Sequence, residues 1–303
     1  HPQWILETPN RPSSHGRNQF VLDFSNPEVV IYVYNMMTEV IDKANISYIK
    51  WDMNRCMTEV YSSCHDSESQ GRVMHEYILG VYQLYELFTN RFPEILFESC
   101  ASGGARFDPG MMYYAPQCWT SDDTDALERL KIQYGTSMVY PVSSLGAHVS
   151  AAPNHQLLRN TPIETRANVA YFGTFGYELD INQMTEQEHV QIQNQISFMK
   201  EHRELIQFGT FYRLKSPFEE NVTAWMVVSK DKRQAIVGYY RVLQTVNTGY
   251  QRLKLQGLQE EWKYRVTGMK EGIYGDELMQ AGLIVSDASS GENKEKYNGD
   301  NGD

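Results

Sequence analysis

The run Tyr48–Arg55, YIKWDMNR, places reactive side chains at the end of a strand-like segment. Because side chains alternate along a strand, Lys50, Asp52 and Asn54 share one face, and the opposite face is apolar or aromatic. Lys50 would lower the pKa of the Asp52 carboxyl and keep it ionised. An ionised carboxylate can act as a covalent nucleophile. An ordinary Lys–Asp pair at a strand end explains the same spacing equally well.

A second run, Cys118–Asp125 or CWTSDDTD, carries three carboxylates within four residues. One of them would serve as a general acid, because neighbouring negative charge and partial burial raise the pKa of a carboxyl. The alternative interpretation is helix capping, with Asp123 or Thr124 as the N-cap and Asp125 in the first turn. Both interpretations hold if different residues do each task. A hard-cation site is disfavoured because no further carboxylate-rich or histidine-rich run supports it.

Two loops and two histidines add further candidates. The loop Glu98–Gly104, ESCASGG, follows a predicted strand, and its glycines would let the backbone approach a ligand closely. The loop Ser14–Gln19 offers Arg17 as a hydrogen-bonding fork for oxygen atoms. His148 and His155 follow a strand candidate and would line the same opening. Each of these features also has a purely structural explanation.

Alternating strands and helices must position these residues. The apolar patterns predict strands at 20–24, 46–52, 94–98, 115–120, 137–142 and 168–173, and helices at 27–44, 71–90, 124–134 and 185–204. This alternation is typical of βαβ units and a parallel sheet. We therefore predict an α/β fold, a partial (β/α)8 TIM barrel with about strands 3–8. A doubly wound open sheet is disfavoured because no GxGxxG follows a strand.

The pattern changes after about residue 206 to short segments rich in aromatic and β-branched residues, separated by turns. Such segments are typical of a small antiparallel β domain. We predict a catalytic barrel at 1–205 that is incomplete at its N-terminus, and a C-terminal antiparallel β domain at 206–285. The segment 286–303 is almost entirely polar and predicts a disordered tail.

Composition excludes several classes of protein. The chain has 303 residues and a formal net charge of −11, which disfavours a nucleic-acid partner. It contains no apolar run long enough for a membrane span, so no membrane partner is expected. The cysteines form no CxxC pair, and four free thiols in a reducing compartment such as the cytoplasm are expected. They are Cys56, Cys64, Cys100 and Cys118.

Together, seven stretches of the sequence resemble family 36 glycoside hydrolases, in particular bacterial-type α-galactosidases. The resemblance covers His1 to about Leu283. The stretches are HPQW (1–4), GRNQFVLD (16–23), YIKWDMNR (48–55), FESCASGGARFDPG (97–110), WTSDDTDALERLKIQYGTS (119–137), GAHVSAAPNH (146–155) and FGYELD (175–180).

The resemblance implies a retaining α-galactosidase that removes terminal α-galactose from oligosaccharides such as melibiose and raffinose. Asp52 would be the nucleophile and Asp122 the acid/base of a double displacement. The implied sugar-binding residues are Arg17, Lys50, Asn54, Cys100, Gly103 and Trp119. The family uses no metal or organic cofactor. A small oligosaccharide is the expected partner, and the full-length protein is expected to be a homo-oligomer, a tetramer.

The sequence departs from the family at its N-terminus. The β-sandwich, the first two barrel strands and the Asp-Asp-Gly-Trp motif that holds sugar hydroxyls have no match, which predicts a truncated chain or a fragment. Three alternatives therefore stay open: a transglycosylase of the raffinose-synthase type, an α-N-acetylgalactosaminidase, and a non-catalytic carbohydrate-binding fragment.

Overall fold

The structure is a computed structural model that describes residues 1–14, 16–243 and 249–285. The chain forms two compact units. The first contains residues 1–122 with 144–146, and the second contains residues 123–143 with those from 147 onward. No helix within the described ranges is long and apolar enough to cross a membrane.

The first unit is built on three parallel strands. Its elements in chain order are helix α1 (Pro27–Lys43), strand β1 (Tyr48–Asp52), helix α2 (Val73–Arg91), strand β2 (Leu96–Cys100), helix α3 (Pro109–Tyr114) and strand β3 (Gln117–Cys118). β2 pairs with β1 on one side and β3 on the other. The register places Lys50 opposite Glu98 and Asp52 opposite Cys100. Because parallel strands end at the same edge, the ends of all three strands meet there.

Local sequence explains this arrangement. The Asn26 side chain caps α1 by accepting a hydrogen bond from the Glu28 backbone N–H at 2.9 Å. The apolar face of β1 packs against α2, where the Trp51 ring lies 4.8 Å from Tyr85 and 5.7 Å from Phe88 between ring centroids. Burying this aromatic face leaves the other face of β1, with its charged residues, free for a site.

The second unit continues the alternation of helices and strands. Its first elements are helix α4 (Ala126–Thr136), strand β4 (Gly146–Ser150), helix α5 (Ile163–Ala170), strand β5 (Thr174–Glu178) and helix α6 (Glu186–Phe208). β4 and β5 are hydrogen-bonded neighbours. Thr185 and Glu188 form a capping box at the start of α6, where the sequence pattern predicts a helix from residue 185.

Antiparallel strands follow in the sequence. β6 (Thr210–Lys215), β7 (Val222–Val228) and β8 (Ala235–Arg241) form one sheet, β9 (Gln251–Leu253) pairs with β12 (Leu283–Val285), and β10 (Lys263–Tyr264) pairs with β11 (Ile273–Tyr274). Helix α7 (Gly275–Gln280) precedes β12. Trp225 on the central strand β7 is fully buried, so the antiparallel strands have a packed interior.

Two predicted strands are wrong. Residues 20–24 form only an isolated bridge between Leu22 and Ile5. Residues 137–142 form no strand, and the Val139 side chain is 74% exposed. Some apolar residues at these places, Val21 and Val142, are buried, but hydrophobicity alone does not supply the hydrogen-bonding partner that a strand requires.

A third strand was predicted too early. The apolar run 168–173 begins inside α5, and β5 starts at Thr174. Val169 and Phe172 are buried, and a short buried apolar run does not distinguish a helix from a strand by periodicity. Helix α4 also continues to Thr136, beyond its predicted end at residue 134.

The element order confirms the predicted fold class: an α/β partial (β/α)8 barrel followed in sequence by a small antiparallel β domain. The compact units divide near residue 122, whereas the predicted domains divide at residue 205. The domain boundaries therefore stay a prediction. The predicted disordered tail, 286–303, lies outside the described residues.

Candidate active site

Asp52 is exposed at the end of β1 and is held by two donors. The Asn54 side-chain amide donates a hydrogen bond to Asp52 Oδ2. The Cys100 thiol, opposite Asp52 in the sheet register, also hydrogen-bonds to its carboxylate. Burial, followed by this hydrogen bond, raises the pKa of Cys100 to about 11. The thiol therefore stays protonated at neutral pH and acts as a hydrogen-bond donor and not as a nucleophile.

The glycine-containing loop after β2 joins the surroundings of Asp52 to the backbone of Asp122. The Ser102 backbone N–H donates a hydrogen bond to Asn54 Oδ1 at 2.9 Å. Gly103 has φ +82°, and a Cβ there would lie 2.7 Å from Ser121 Cα and 3.2 Å from Asp122 N. Only a residue without a side chain fits this close backbone approach.

Asp122 is exposed and is held by a buried tryptophan. Trp119 Nε1 donates a hydrogen bond to Asp122 Oδ1 at 3.1 Å. The Trp119 ring needs the space left by Gly146, where a Cβ would lie 2.9 Å from Cε3. The Lys50 ammonium lies 4.9 Å from the centroid of the same ring, a cation–π distance.

Lys50 makes its ion pair with Glu98, whereas the sequence suggested Asp52. Lys50 Nζ lies 3.7 Å from Glu98 Oε1, because the two residues are register partners and face the same side of the sheet. Glu98 is 2% exposed and accepts hydrogen bonds from the Tyr48 hydroxyl and from Gln117 Nε2 at 3.0 Å. Glu98 was not among the residues predicted for the site. An acidic residue inside an otherwise uncharged strand was the signal that could have found it.

The three carboxylates after β3 make different hydrogen bonds, and only one of them caps helix α4. Asp125 is the N-cap of α4 and accepts hydrogen bonds from two backbone N–H groups of the first turn, at 3.0 and 3.1 Å. The predicted cap, Asp123 or Thr124, was therefore wrong by one or two residues, because α4 begins only at Ala126. Asp123 accepts a hydrogen bond from the Asp125 N–H at 3.0 Å and shapes the turn before the helix.

Three further sequence candidates are Arg17, His148 and His155. Arg17 is exposed at the turn Gly16–Gln19, and no hydrogen bond or ion pair links it to either carboxylate among the described residues. His148, in the second unit, lies 3.3 Å from Glu178 between Nδ1 and Oε2. His155 is exposed. The roles of all three stay predictions.

The cluster combines two exposed carboxylates with neutral and cationic donors, all within the first unit. Such a pair can divide the tasks of nucleophile and proton donor in glycoside cleavage. Within the described ranges, no group of three or more His, Cys, Asp or Glu side chains is arranged to hold a metal ion.

Comparison of the sequence with known families gives two matches. The family model "Melibiase" matches residues 1–209, and the model "Glycosyl hydrolase family 36 C-terminal domain" matches residues 222–300. The chain is 54% identical to α-galactosidase AgaA of Geobacillus stearothermophilus over 291 residues, which are 96% of this chain and 40% of that protein. It is 44% identical to α-galactosidase Mel36A of Lactobacillus acidophilus, covering 93% of this chain and 38% of that protein.

Solved structures give the same result. The crystal structure of the Geobacillus enzyme superposes with a TM-score of 0.93 at 53% identity, covering 96% of this chain and 40% of that one. The galactosidase domain of the α-galactosidase–sucrose kinase AgaSK superposes with a TM-score of 0.89 at 42% identity, covering 95% and 39%. Variants of the Geobacillus enzyme have been crystallised with raffinose and with stachyose. This chain therefore spans about 40% of the length of these relatives.

Proposed function

Because the chain belongs to glycoside hydrolase family 36, we propose that it carries the catalytic pair of a retaining α-galactosidase. Asp52 is the nucleophile and Asp122 is the acid/base. The observation that supports these roles is the cluster in the first unit, where two exposed carboxylates are each held by buried donors. Since the chain spans only part of its relatives' length, the activity of the whole protein is part of the proposal.

The reaction is a double displacement. Asp122 donates its proton to the glycosidic oxygen while Asp52 attacks the anomeric carbon, and the bond to the leaving sugar breaks. Asp122 then removes a proton from water, which attacks the same carbon and displaces Asp52, releasing galactose in the α configuration. Asn54 and Cys100 hold the Asp52 carboxylate in one orientation before attack, and such positioning removes part of the entropic barrier.

The remaining residues of the cluster suit sugar binding. Lys50 is held between Glu98 and the Trp119 ring, and its other N–H donors are available to sugar hydroxyls. Trp119 is buried and holds Asp122 and the Lys50 ammonium beside it, and Gly103 allows the backbone to approach the sugar. Arg17 completes this set by resemblance to the family.

The expected substrates are α-galactosides such as melibiose, raffinose and stachyose. Raffinose and stachyose complexes of the Geobacillus relative support this choice. A homo-oligomeric state, a tetramer for the full-length protein, and a cytoplasmic location belong to the same proposal. The four free thiols fit a reducing compartment.

The assignment of roles is tested by azide rescue. In Asp52→Ala, hydrolysis of an aryl α-galactoside should be abolished. Added azide should occupy the place of the missing carboxylate, attack from that side and give β-galactosyl azide. In Asp122→Asn, turnover should fall by about 10²–10⁴-fold. Azide should then intercept the covalent intermediate and give α-galactosyl azide. NMR of the products distinguishes the two anomers.

The controls use the same assay. Asp42→Asn removes an exposed carboxylate of α1 that pairs with Arg91, and it should leave turnover unchanged. All variants should be assayed in the isolated chain and in the Geobacillus relative with its matching segment replaced by this chain. Full turnover in Asp52→Ala, or the same azide anomer from both variants, would remove the proposed roles.

A further inference from the structure

The turn that carries Arg17 has an unusual backbone. Gly16 and Gln19 close it through a hydrogen bond from the Gln19 N–H to the Gly16 carbonyl at 3.0 Å. Its two central residues, Arg17 and Asn18, have φ +53° and +55°. Two successive positive φ values define a type I′ turn, in which glycine or asparagine is favoured and arginine is not. Such a conformation persists only where the surrounding structure imposes it.

A buried arginine holds both sides of this turn. Arg55 is 6% exposed, although it follows Asp52 by only three residues. Its Nε donates a hydrogen bond to the Gln19 carbonyl at 3.0 Å, and its Nη2 donates to the Ser14 carbonyl at 2.9 Å. A Cβ on Gly16 would lie 2.6 Å from Arg55 Cδ, so the turn rests directly on this side chain.

A buried glutamate binds both Arg55 and the segment that precedes the turn. Glu59 is 4% exposed and accepts hydrogen bonds from the Ser14 backbone N–H at 2.9 Å and from the Ser14 hydroxyl at 2.5 Å. Its other oxygen accepts from Thr58 at 2.5 Å and lies 3.6 Å from Arg55 Nη2. These bonds, led by the Ser14 hydroxyl, lower the pKa of Glu59 to about 2. The carboxylate therefore stays charged throughout the ordinary pH range.

We propose that Arg55 and Glu59 are positioning residues that impose the left-handed turn at Gly16–Gln19 and thereby set the location of Arg17 for substrate binding. This inference rests on the proposed function for the part that concerns substrate. Both side chains are buried, so we assign them positioning and not direct contact with the sugar. A guanidinium is suited to the task because its rigid fork reaches two carbonyls at once, which an ammonium group does not reproduce.

The test combines hydrogen exchange with kinetics on the full chain. In Glu59→Gln, the Gln19 amide should exchange about tenfold faster, the ratio expected for loss of one charge-assisted hydrogen bond. The matched control is Glu39→Gln, which removes an exposed carboxylate paired with Lys43 on α1 and should leave this exchange unchanged. Arg55→Lys should behave like Glu59→Gln.

The kinetic measurement distinguishes a change in the position of Arg17 from a general loss of folded structure. Glu59→Gln should raise KM about tenfold and leave kcat unchanged. In an Arg17→Lys background, Glu59→Gln should not raise KM further, because the contribution of Arg17 to substrate binding is already lost. Additive effects on KM, or unchanged Gln19 exchange, would overturn the inference. A wild-type chain that neither binds nor hydrolyses galactosides would instead overturn the proposed function, and the exchange measurement still decides whether Arg55 and Glu59 impose the turn.

Discussion

The backbone conformation of Gly103 determines how closely its loop approaches the backbone of Ser121 and Asp122. Its φ is +82°, and a Cβ added there would lie only 2.7 Å from Ser121 Cα, which leaves no place for a side chain. Gly103→Ala should lower the free energy of unfolding by about 1–2 kcal/mol through the left-handed conformation. It should also displace the Ser121–Asp122 backbone and reduce turnover by about 10²-fold. Urea unfolding and initial rates measure the two effects.

Gly135 provides the matched control for this change. It lies inside α4, and a Cβ there meets no atom within 4 Å. Gly135→Ala should raise the free energy of unfolding by about 0.5–1 kcal/mol, because alanine loses less conformational entropy in a helix. Equal responses of the two glycines to alanine would contradict the special role of Gly103.

At this scale, the sequence predicts which side chains share a face of a strand better than it predicts the partners of those side chains. Alternation along one strand was enough to place Lys50 and Asp52 on the same face of β1. The partner of Lys50 depends on the register between β1 and β2, which no local pattern of YIKWD contains. For the same reason, the contacts of Glu59 with Ser14, 45 residues earlier, could not be predicted.

At the scale of elements, the start of α4 depends on one side chain. Asp125 is 2% exposed, caps the helix and makes an ion pair with Arg159. Asp125→Ala should lower the free energy of unfolding by about 1–2 kcal/mol, most of it from the lost cap. Asp125→Asn should lose less, because an amide oxygen still accepts the backbone N–H groups. Urea unfolding of both variants gives the difference.

The comparison between these variants identifies the dominant interaction. Arg159 is 37% exposed, so water screens its charge and the ion pair is expected to contribute little. Equal losses for the alanine and asparagine variants would contradict this account and assign the stability to the ion pair.

The same scale shows why helices were predicted more accurately than strands. The helices α1 and α6 carry their own start signals, an asparagine cap and a capping box. The strands β4 and β5 are defined by pairing with each other, and this pairing is not written in either segment. The strands were therefore predicted at the neighbouring apolar runs, 137–142 and 168–173, instead of at β4 and β5.

At the scale of the whole molecule, both compact units bury cysteine thiols or tyrosine hydroxyls, and burial favours their neutral form. Burial raises the pKa of Cys100 to about 11 and that of Cys118 to about 12 in the first unit. It raises the pKa of Tyr85 and of Tyr171 to about 12, the latter in the second unit. The ordinary values are 9.0 for cysteine and 10.0 for tyrosine. As pH rises above the ordinary values, the unfolded chain loses these protons first.

The chain should therefore be fully stable with respect to these groups below pH 9 and should lose stability as pH rises from about 9 to 12. Each group that ionises only in the unfolded chain should lower the free energy of unfolding by about 1.4 kcal/mol per pH unit. Urea unfolding at several pH values measures this slope. In Cys118→Ala the decline should be shallower by the contribution of one group, because alanine has no proton to lose. An unchanged slope would mean that the Cys118 thiol ionises equally in both states and that its burial does not oppose ionisation.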